Sequence, residues 1–439
     1  MTGGAIGIIC FVVMIALVVL GVPVYLCVMG MSLVGMYLVT TPQMLLMQFT
    51  NGFFTTVANY TFSVIPLFMI VGVLAGDTGI AAGTFTSMQK WTSKRKGGLL
   101  YATVAANAVF GACSGVSSAG TIVFCKIAAP ELKKRGYDES LSLGTISAAG
   151  SLSSLIPPSI GVLTFCLLTD LSIGTGLMTS FAGGLLMVLV MFVMIFFAIR
   201  VTPSKVPTIT DADRAVTWMD RIKTLSLLIP ILLLFGLIVG GSFLGWFPPT
   251  VGGAVACVAI CIYALAKKMT LRELMYSFWD GCQMFSSMYL IVMAATIFGR
   301  FIGITKMANM LIDIIANLGI APLAVYFVII VFYIFCGCVM DCMSVMMITV
   351  PIVFPLLTGL GFNGYAMIIV VIMISELGAI TPPMGMAVFT VSTVLREPAG
   401  KIFKGVWPYI IAMLAAAIII VIFPDIVLWL PRLMGATGV

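Results

Sequence analysis

The chain has 439 residues, of which 62% are apolar and only 8% charged, with a formal net charge of +7. A water-soluble protein of this length needs far more polar surface, so the composition excludes a soluble fold and places the chain in a lipid bilayer. The absence of histidine excludes bis-histidine haem ligation, HExxH metalloprotease chemistry and most proton relays, and basic residues clustered in short loops read as membrane orientation rather than nucleic-acid binding.

A membrane span needs about 20 apolar residues, and the apolar runs read as roughly ten spans plus two segments too punctuated to cross simply. The first run passes through Gly21 and Pro23 directly into a second, without the small-residue cleavage site of a secretory signal peptide. The 11 cysteines lie mostly within apolar runs, as at Cys10, Cys27, Cys257 and Cys261, and lack the paired spacings of zinc sites or disulfide frameworks. They read as small core residues. Residues 79–91 and 269–279 mix apolar and polar positions and predict helices lying in the membrane interface. No stretch is long enough for a soluble domain, and the polar segment 201–223 reads as a linker.

The clearest internal signal is an ungapped repeat. Setting Pro130 on Pro355, 225 residues apart, also sets Leu132 on Leu357, Gly136 on Gly361, Tyr137 on Phe362, Pro157 on Pro382 and Pro158 on Pro383. At this register the basic loop of Lys133, Lys134 and Arg135 falls on uncharged Thr358, Gly359 and Leu360. Short basic loops stay cytoplasmic, so the two loops are expected on opposite faces and the repeats are expected to be inverted, a hallmark of secondary transporters. The predicted architecture is an all-α polytopic membrane protein of two inverted repeats. Its first repeat covers residues 1–200, with a re-entrant hairpin at about 98–130 and a broken helix at about 139–169. A cytoplasmic linker at 201–223 leads to the second repeat, 224–439, with a hairpin at about 321–357 and a broken helix at about 365–395. This threading brings Lys90, Lys94, Arg95, Lys96, Lys205, Arg214, Lys267, Lys268, Arg396, Lys401 and Lys404 to the cytoplasmic side and leaves both termini outside.

The chemistry concentrates at the hairpin tips and breaks. In the first copy, Ser114, Gly115, Ser117 and Ser118 interrupt an apolar region with small and hydroxylated residues. Unwound backbone at membrane depth must be buried in protein or line a cavity, and its carbonyls and hydroxyls are hard oxygen ligands suited to a small cation. Packing through small residues explains the same pattern equally well when the tip is taken alone. The break adds weight to the site: Ser153, Ser154, Pro157, Pro158 and Ser159 follow one another, and paired prolines remove two amide donors and bias the preceding residue away from helix. The half-helix starting near Ser159 directs its amides into the gap.

The second copy repeats this plan with acids. Gly337, Met340 and Asp341 form its tip, and Glu376, Thr381, Pro382, Pro383 and Gly385 its break. An acid at bilayer depth costs about 2.5 to 3.5 kcal/mol on insertion scales, so it is expected to face an ion, a partner or a cavity. The reading is one sodium site in each half, with Asp341 and Glu376 lending charge to the second. Lys126, Arg300 and Ser159 are substrate candidates; each of the two cations also reads as one that snorkels to an interface or pairs with an acid.

At these residues the sequence resembles the large membrane subunit of tripartite ATP-independent periplasmic (TRAP) transporters, the DctM-like family. The resemblance covers essentially the whole chain, through Pro66, Gly72, Gly76, Gly97, Gly98, Phe110 to Gly115, Pro130, Gly136, Ile156 to Ile160, Asp341, Pro351, Pro355, Gly361 and Thr381 to Gly385. It implies a sodium-coupled elevator subunit of the bacterial inner membrane, with no cofactor other than Na+ as coupling ion. Its implied partners are a small four-helix membrane subunit and a periplasmic binding protein that delivers an organic acid such as a dicarboxylate or sialic acid. Position by position, the first cation site falls on Ser114 to Ser118 and Ser153 to Pro157, the second on Gly337 to Asp341 and Thr381 to Gly385. Val116, Gly120, Lys126 and the acidic Ser375 and Glu376 pair depart from the family pattern, which leaves the substrate open. No four-helix extension precedes Met1, so the small subunit is expected as a separate chain. The competing reading is a related anion carrier that needs no binding protein. A channel is a further alternative, and a membrane enzyme lacks an evident catalytic group, with neither HExxH nor GxSxG present.

Overall fold

The computed structural model describes residues 2–241 and 244–436. Every element is helical, with no strand among the described residues. Among the described residues, six helices are long and apolar enough to cross a membrane, or seven if the bent pair Val64–Asp77 and Ile80–Thr92 counts as one span. The roughly ten spans expected from apolar runs exceed this because Gly3–Val19, Val24–Val39, Gly98–Ser114 and Gly364–Ile380 have only 16 or 17 residues. One expectation is corrected. Residues 269–279 do not form a separate interfacial helix but begin the 35-residue helix Leu271–Thr305. A capping box between Thr270 and Glu273 starts it, and no proline interrupts it. Residues 79–91 do form their own helix, Ile80–Thr92, which leaves Val64–Asp77 at 63° after Gly79 adopts a positive φ of 77°.

The helix boundaries recur at the separation seen in the sequence. The first hairpin is Gly98–Ser114 and Ser117–Lys134, the second Pro322–Val339 and Cys342–Gly359. With 225 residues added, Ser114 falls on Val339, Ser117 on Cys342, Lys134 on Gly359 and Glu139 on Gly364, each a helix end. Both Pro157–Pro158 and Pro382–Pro383 are cis. Past these pairs the separation becomes 226, because Ile160 corresponds to Met386, Thr169 to Leu395 and Ile173 to Ala399. The second break therefore carries one extra residue, beside Gly385 with its positive φ of 34°.

Local chemistry accounts for each interruption. Gly115 ends the first arm in the left-handed region, with φ 62°. The Asp138 carboxylate caps Glu139–Gly150 by accepting from the Leu141 amide at 2.9 Å. A single 3-10 turn, Ser151–Ser154, then unwinds the chain ahead of the prolines, and Ser159 caps Ile160–Thr169 by accepting from the Val162 amide at 3.2 Å.

The two copies interlock. Ser117–Lys134 of the first hairpin packs on Met386–Leu395 after the second break, and Cys342–Gly359 of the second hairpin packs on Ile160–Thr169 after the first. Glu139–Gly150 crosses Ala399–Ile422 at Gly144 and Gly405, so closely that a Cβ at either glycine would strike the other backbone. A second group, Val24–Val39, Pro42–Val57, Val64–Asp77, Pro249–Ala266 and Leu271–Thr305, packs among itself and meets the first through Val64–Asp77 and Leu271–Thr305. The linker is tied to the base of the first hairpin, where Arg135 pairs with Asp213 at 2.7 Å and Lys205 with Asp138 at 3.7 Å.

Candidate functional site

The first tip is built by close backbone approach. The Gly115 carbonyl accepts from the Ile160 amide at 3.3 Å, so the tip of the hairpin touches the start of the second half-helix. Gly72, on Val64–Asp77, brings its backbone against Ser114, where a Cβ would lie 2.9 Å from the Ser114 carbonyl oxygen. Residues 151–160 are buried throughout. Within this buried region the Ser114 hydroxyl has no hydrogen-bond partner among the described residues, whereas Ser153 donates to Asn107 Oδ1 at 3.3 Å. Ser117 is half-buried and Ser118 exposed.

Ser159 bonds locally. Its hydroxyl donates to the Ser154 carbonyl and accepts from Val162. That accounts for the residue as a helix cap and leaves it no free donor to present to a substrate.

The second tip and break are more open. Gly337 packs against the second broken helix, where a Cβ would lie 2.5 Å from the Ser375 carbonyl oxygen and 3.0 Å from Gly378 Cα. The Cys338 thiol faces the Pro382 carbonyl at 3.7 Å, and the Thr381 hydroxyl donates to Leu377 at 2.6 Å. Met340 and Gly385 are buried, Thr381 is half-buried, and Asp341 and Pro383 are exposed. Asp341 caps Cys342–Gly359, accepting from the Ser344 amide at 3.1 Å and from the Ser344 hydroxyl at 2.5 Å.

Glu376 departs from the sequence expectation. The sequence groups it with the second site, yet its carboxylate, 2% exposed, accepts from the Ser154 hydroxyl of the first break at 2.8 Å. Ser117 of the first tip and Cys342 of the second are its polar neighbours. No lysine or arginine pairs with it among the described residues. This buried acid of the second break thus reaches the first break through Ser154 and neighbours both tips, with neutral donors and the acid Asp341 around it.

Asn107 is the residue that sequence reasoning missed. It is fully buried on Gly98–Ser114, and a Cβ at Gly120 would lie 2.8 Å from its Oδ1 and 2.5 Å from Ser153 Oγ. A lone amide in an apolar helix was the available signal. The two cations part company. Lys126 is exposed on the second arm of the first hairpin. Arg300 is half-buried and lines a cavity of about 540 Å³ with Thr55, Thr56, Thr169, Asp170 and Thr296. Its Nη1 donates to the Gln48 backbone and side-chain oxygens at 3.3 and 3.1 Å, and its Nη2 to Thr55 at 3.0 Å.

Known proteins share this chain's sequence across nearly its full length. It is 28% identical over 384 residues to the C4-dicarboxylate TRAP transporter large permease protein DctM of Pseudomonas aeruginosa, covering 87% of this chain and 88% of that one. It is 25% identical over 433 residues to the ectoine/5-hydroxyectoine TRAP transporter large permease protein UehC of Ruegeria pomeroyi, covering 96% and 97%. The crystal structure of the Alcanivorax borkumensis YdaH transporter has the same fold, with a TM-score of 0.56 at 15% identity over 86% of this chain and 88% of that one. The family model described as tripartite ATP-independent periplasmic transporter, DctM component, matches residues 11–426, and the chain belongs to that family of multi-pass membrane permeases.

Proposed function

We propose that this chain is the large subunit of a sodium-coupled secondary transporter that imports an organic acid. The observation that carries the reading is the buried Glu376 carboxylate of the second break, which accepts from Ser154 of the first break, neighbours both hairpin tips and the acid Asp341, and pairs with no lysine or arginine among the described residues. A buried acid without a counter-charge is costly, and a bound cation offsets that cost. The first cation site takes Ser114, Gly115, Ser117, Ser118, Ser153, Ser154 and Pro157, and the second Gly337, Met340, Asp341, Glu376, Thr381, Pro383 and Gly385. Glu376 lends charge to both, and Asn107 positions Ser153.

In this proposal the two copies are inverted, with the sites near the membrane midplane where they meet. The interlocked hairpins and broken helices move as one body against the group containing Leu271–Thr305, in the elevator manner. The chain lies in the bacterial inner membrane with both termini in the periplasm. It works with a small four-helix membrane subunit and a periplasmic binding protein. The relatives' names, which include a C4-dicarboxylate and an ectoine permease, support a small acid as cargo and leave its identity open.

The test is uptake by proteoliposomes holding this chain and its small subunit, with loaded binding protein outside. An inward sodium gradient should drive accumulation only when the binding protein is present. Accumulation of free substrate without it would establish the binding-protein-independent carrier instead.

A further inference from the structure

We propose that the cavity lined by Arg300 is a receiving site for a small acid bearing one carboxylate together with a cationic or hydrogen-bond-donating group, an inference that rests on the organic-acid reading above and narrows its substrate class. The cavity, about 540 Å³, lies between the two packed groups of helices. Thr55, Thr296 and Arg300 come from one group, Thr169 and Asp170 from the end of the first broken helix in the other. A ligand here touches both bodies at once.

Arg300 is prepared for an anion. A guanidinium carries five N–H donors, and the contacts to Gln48 and Thr55 engage three of them. All three acceptors are neutral, so the side chain is held in place while its charge stays uncompensated. The nearest acid in the cavity, Asp170, forms no ion pair with it within 4.0 Å among the described residues. The donors left on the guanidinium suffice for a two-point contact with a carboxylate, the geometry arginine favours.

Asp170 sets the other half of the specificity. It caps Ile160–Thr169 in the left-handed region, at φ 56°, and its side chain makes no hydrogen bond among those of the described residues. A second carboxylate on the ligand would meet this charge and be disfavoured, whereas an ammonium, amidinium or hydroxyl group would be stabilised by it. The unpaired arginine and aspartate therefore select a ligand of split polarity over a symmetric dicarboxylate.

The test uses the purified complex of this chain with its small subunit in nanodiscs, carrying Thr296→Cys to report on the cavity and Cys282→Ser to remove an exposed thiol. The rate of modification at residue 296 by N-ethylmaleimide is followed by mass spectrometry, with ectoine, succinate or sodium chloride added at matched ionic strength. Ectoine should slow modification severalfold and succinate should not. Arg300→Gln should abolish the protection, Arg300→Lys should retain part of it, and Asp170→Asn should let succinate protect as ectoine does. The proposal is overturned if ectoine gives no protection, if protection survives Arg300→Gln, or if succinate protects equally with Asp170 in place. Failure of sodium to drive uptake would instead count against the sodium-coupled reading and would leave the labelling result standing.

Discussion

The Ser154 hydroxyl donates to Glu376 Oε1 at 2.8 Å, joining residues 222 positions apart on the two broken helices. A hydrogen bond to a charged group contributes about 1.5 to 3 kcal/mol, so in Ser154→Ala the sodium concentration for half-maximal uptake should rise roughly tenfold or more. An unchanged sodium dependence would separate Ser154 from the cation sites.

A close backbone approach in the second copy makes a stability prediction. At Gly378 a Cβ would lie 2.7 Å from both Gly337 Cα and the Ile334 carbonyl oxygen, backbone atoms that cannot swing aside. Overpacking of this kind costs about 1 to 3 kcal/mol, and Gly378→Ala should lower the melting temperature of the purified complex. Gly303→Ala is the control, since nothing lies within 4 Å of its Cβ. Helix propensity alone should make that variant up to about 1 kcal/mol more stable.

A third prediction concerns the linker. Partial burial raises the Asp213 pKa, but hydrogen bonds from Thr210 and Arg135 and the Arg135 charge outweigh it and hold the carboxyl below its ordinary value. A depressed folded-state pKa contributes stability that is present above the unfolded value and is lost as pH falls through the folded one. The linker should therefore stay docked at neutral pH and release only in acid below the usual carboxylate range. Hydrogen exchange at residues 210–215 reads this directly, and Arg135→Gln should speed exchange there at neutral pH.

The proposed inversion predicts opposite accessibility for the two hairpin bases. Lys134 and Leu318 are both exposed. In intact spheroplasts a membrane-impermeant maleimide should modify Leu318→Cys and spare Lys134→Cys until the membrane is permeabilised. Labelling of both from one side would show parallel halves.

Much of this organisation was legible in sequence because its markers are backbone-determined. Paired prolines at 157 and 382 and glycines at 115 and 385 interrupt helices wherever they fall, so a common spacing shows itself without any packing information. The one-residue slip beside Gly385 was hidden, since the Pro-Pro pairs that anchor the register lie before it. The contacts of Glu376 were equally hidden. They depend on how the two broken helices cross, and no local pattern around residue 376 encodes a partner at residue 154. Asn107 and the cavity of Arg300 escaped for the same reason. Each takes its neighbours from distant helices, Ser153 in one case, Gln48 and Thr55 in the other. The length of Leu271–Thr305 was misread because the polar first turns of a long span look like an interfacial helix until the capping box and the lack of any breaker are considered together.

The most direct test of the central claim is the sodium dependence of uptake by proteoliposomes containing this chain, its small subunit and loaded binding protein, compared between the native sequence and Glu376→Gln. Two cation sites sharing one carboxylate should give a sigmoidal curve for the native chain. In Glu376→Gln the curve should move to higher sodium and lose its sigmoid shape. A Glu376→Gln curve that coincides with the native one would contradict the account.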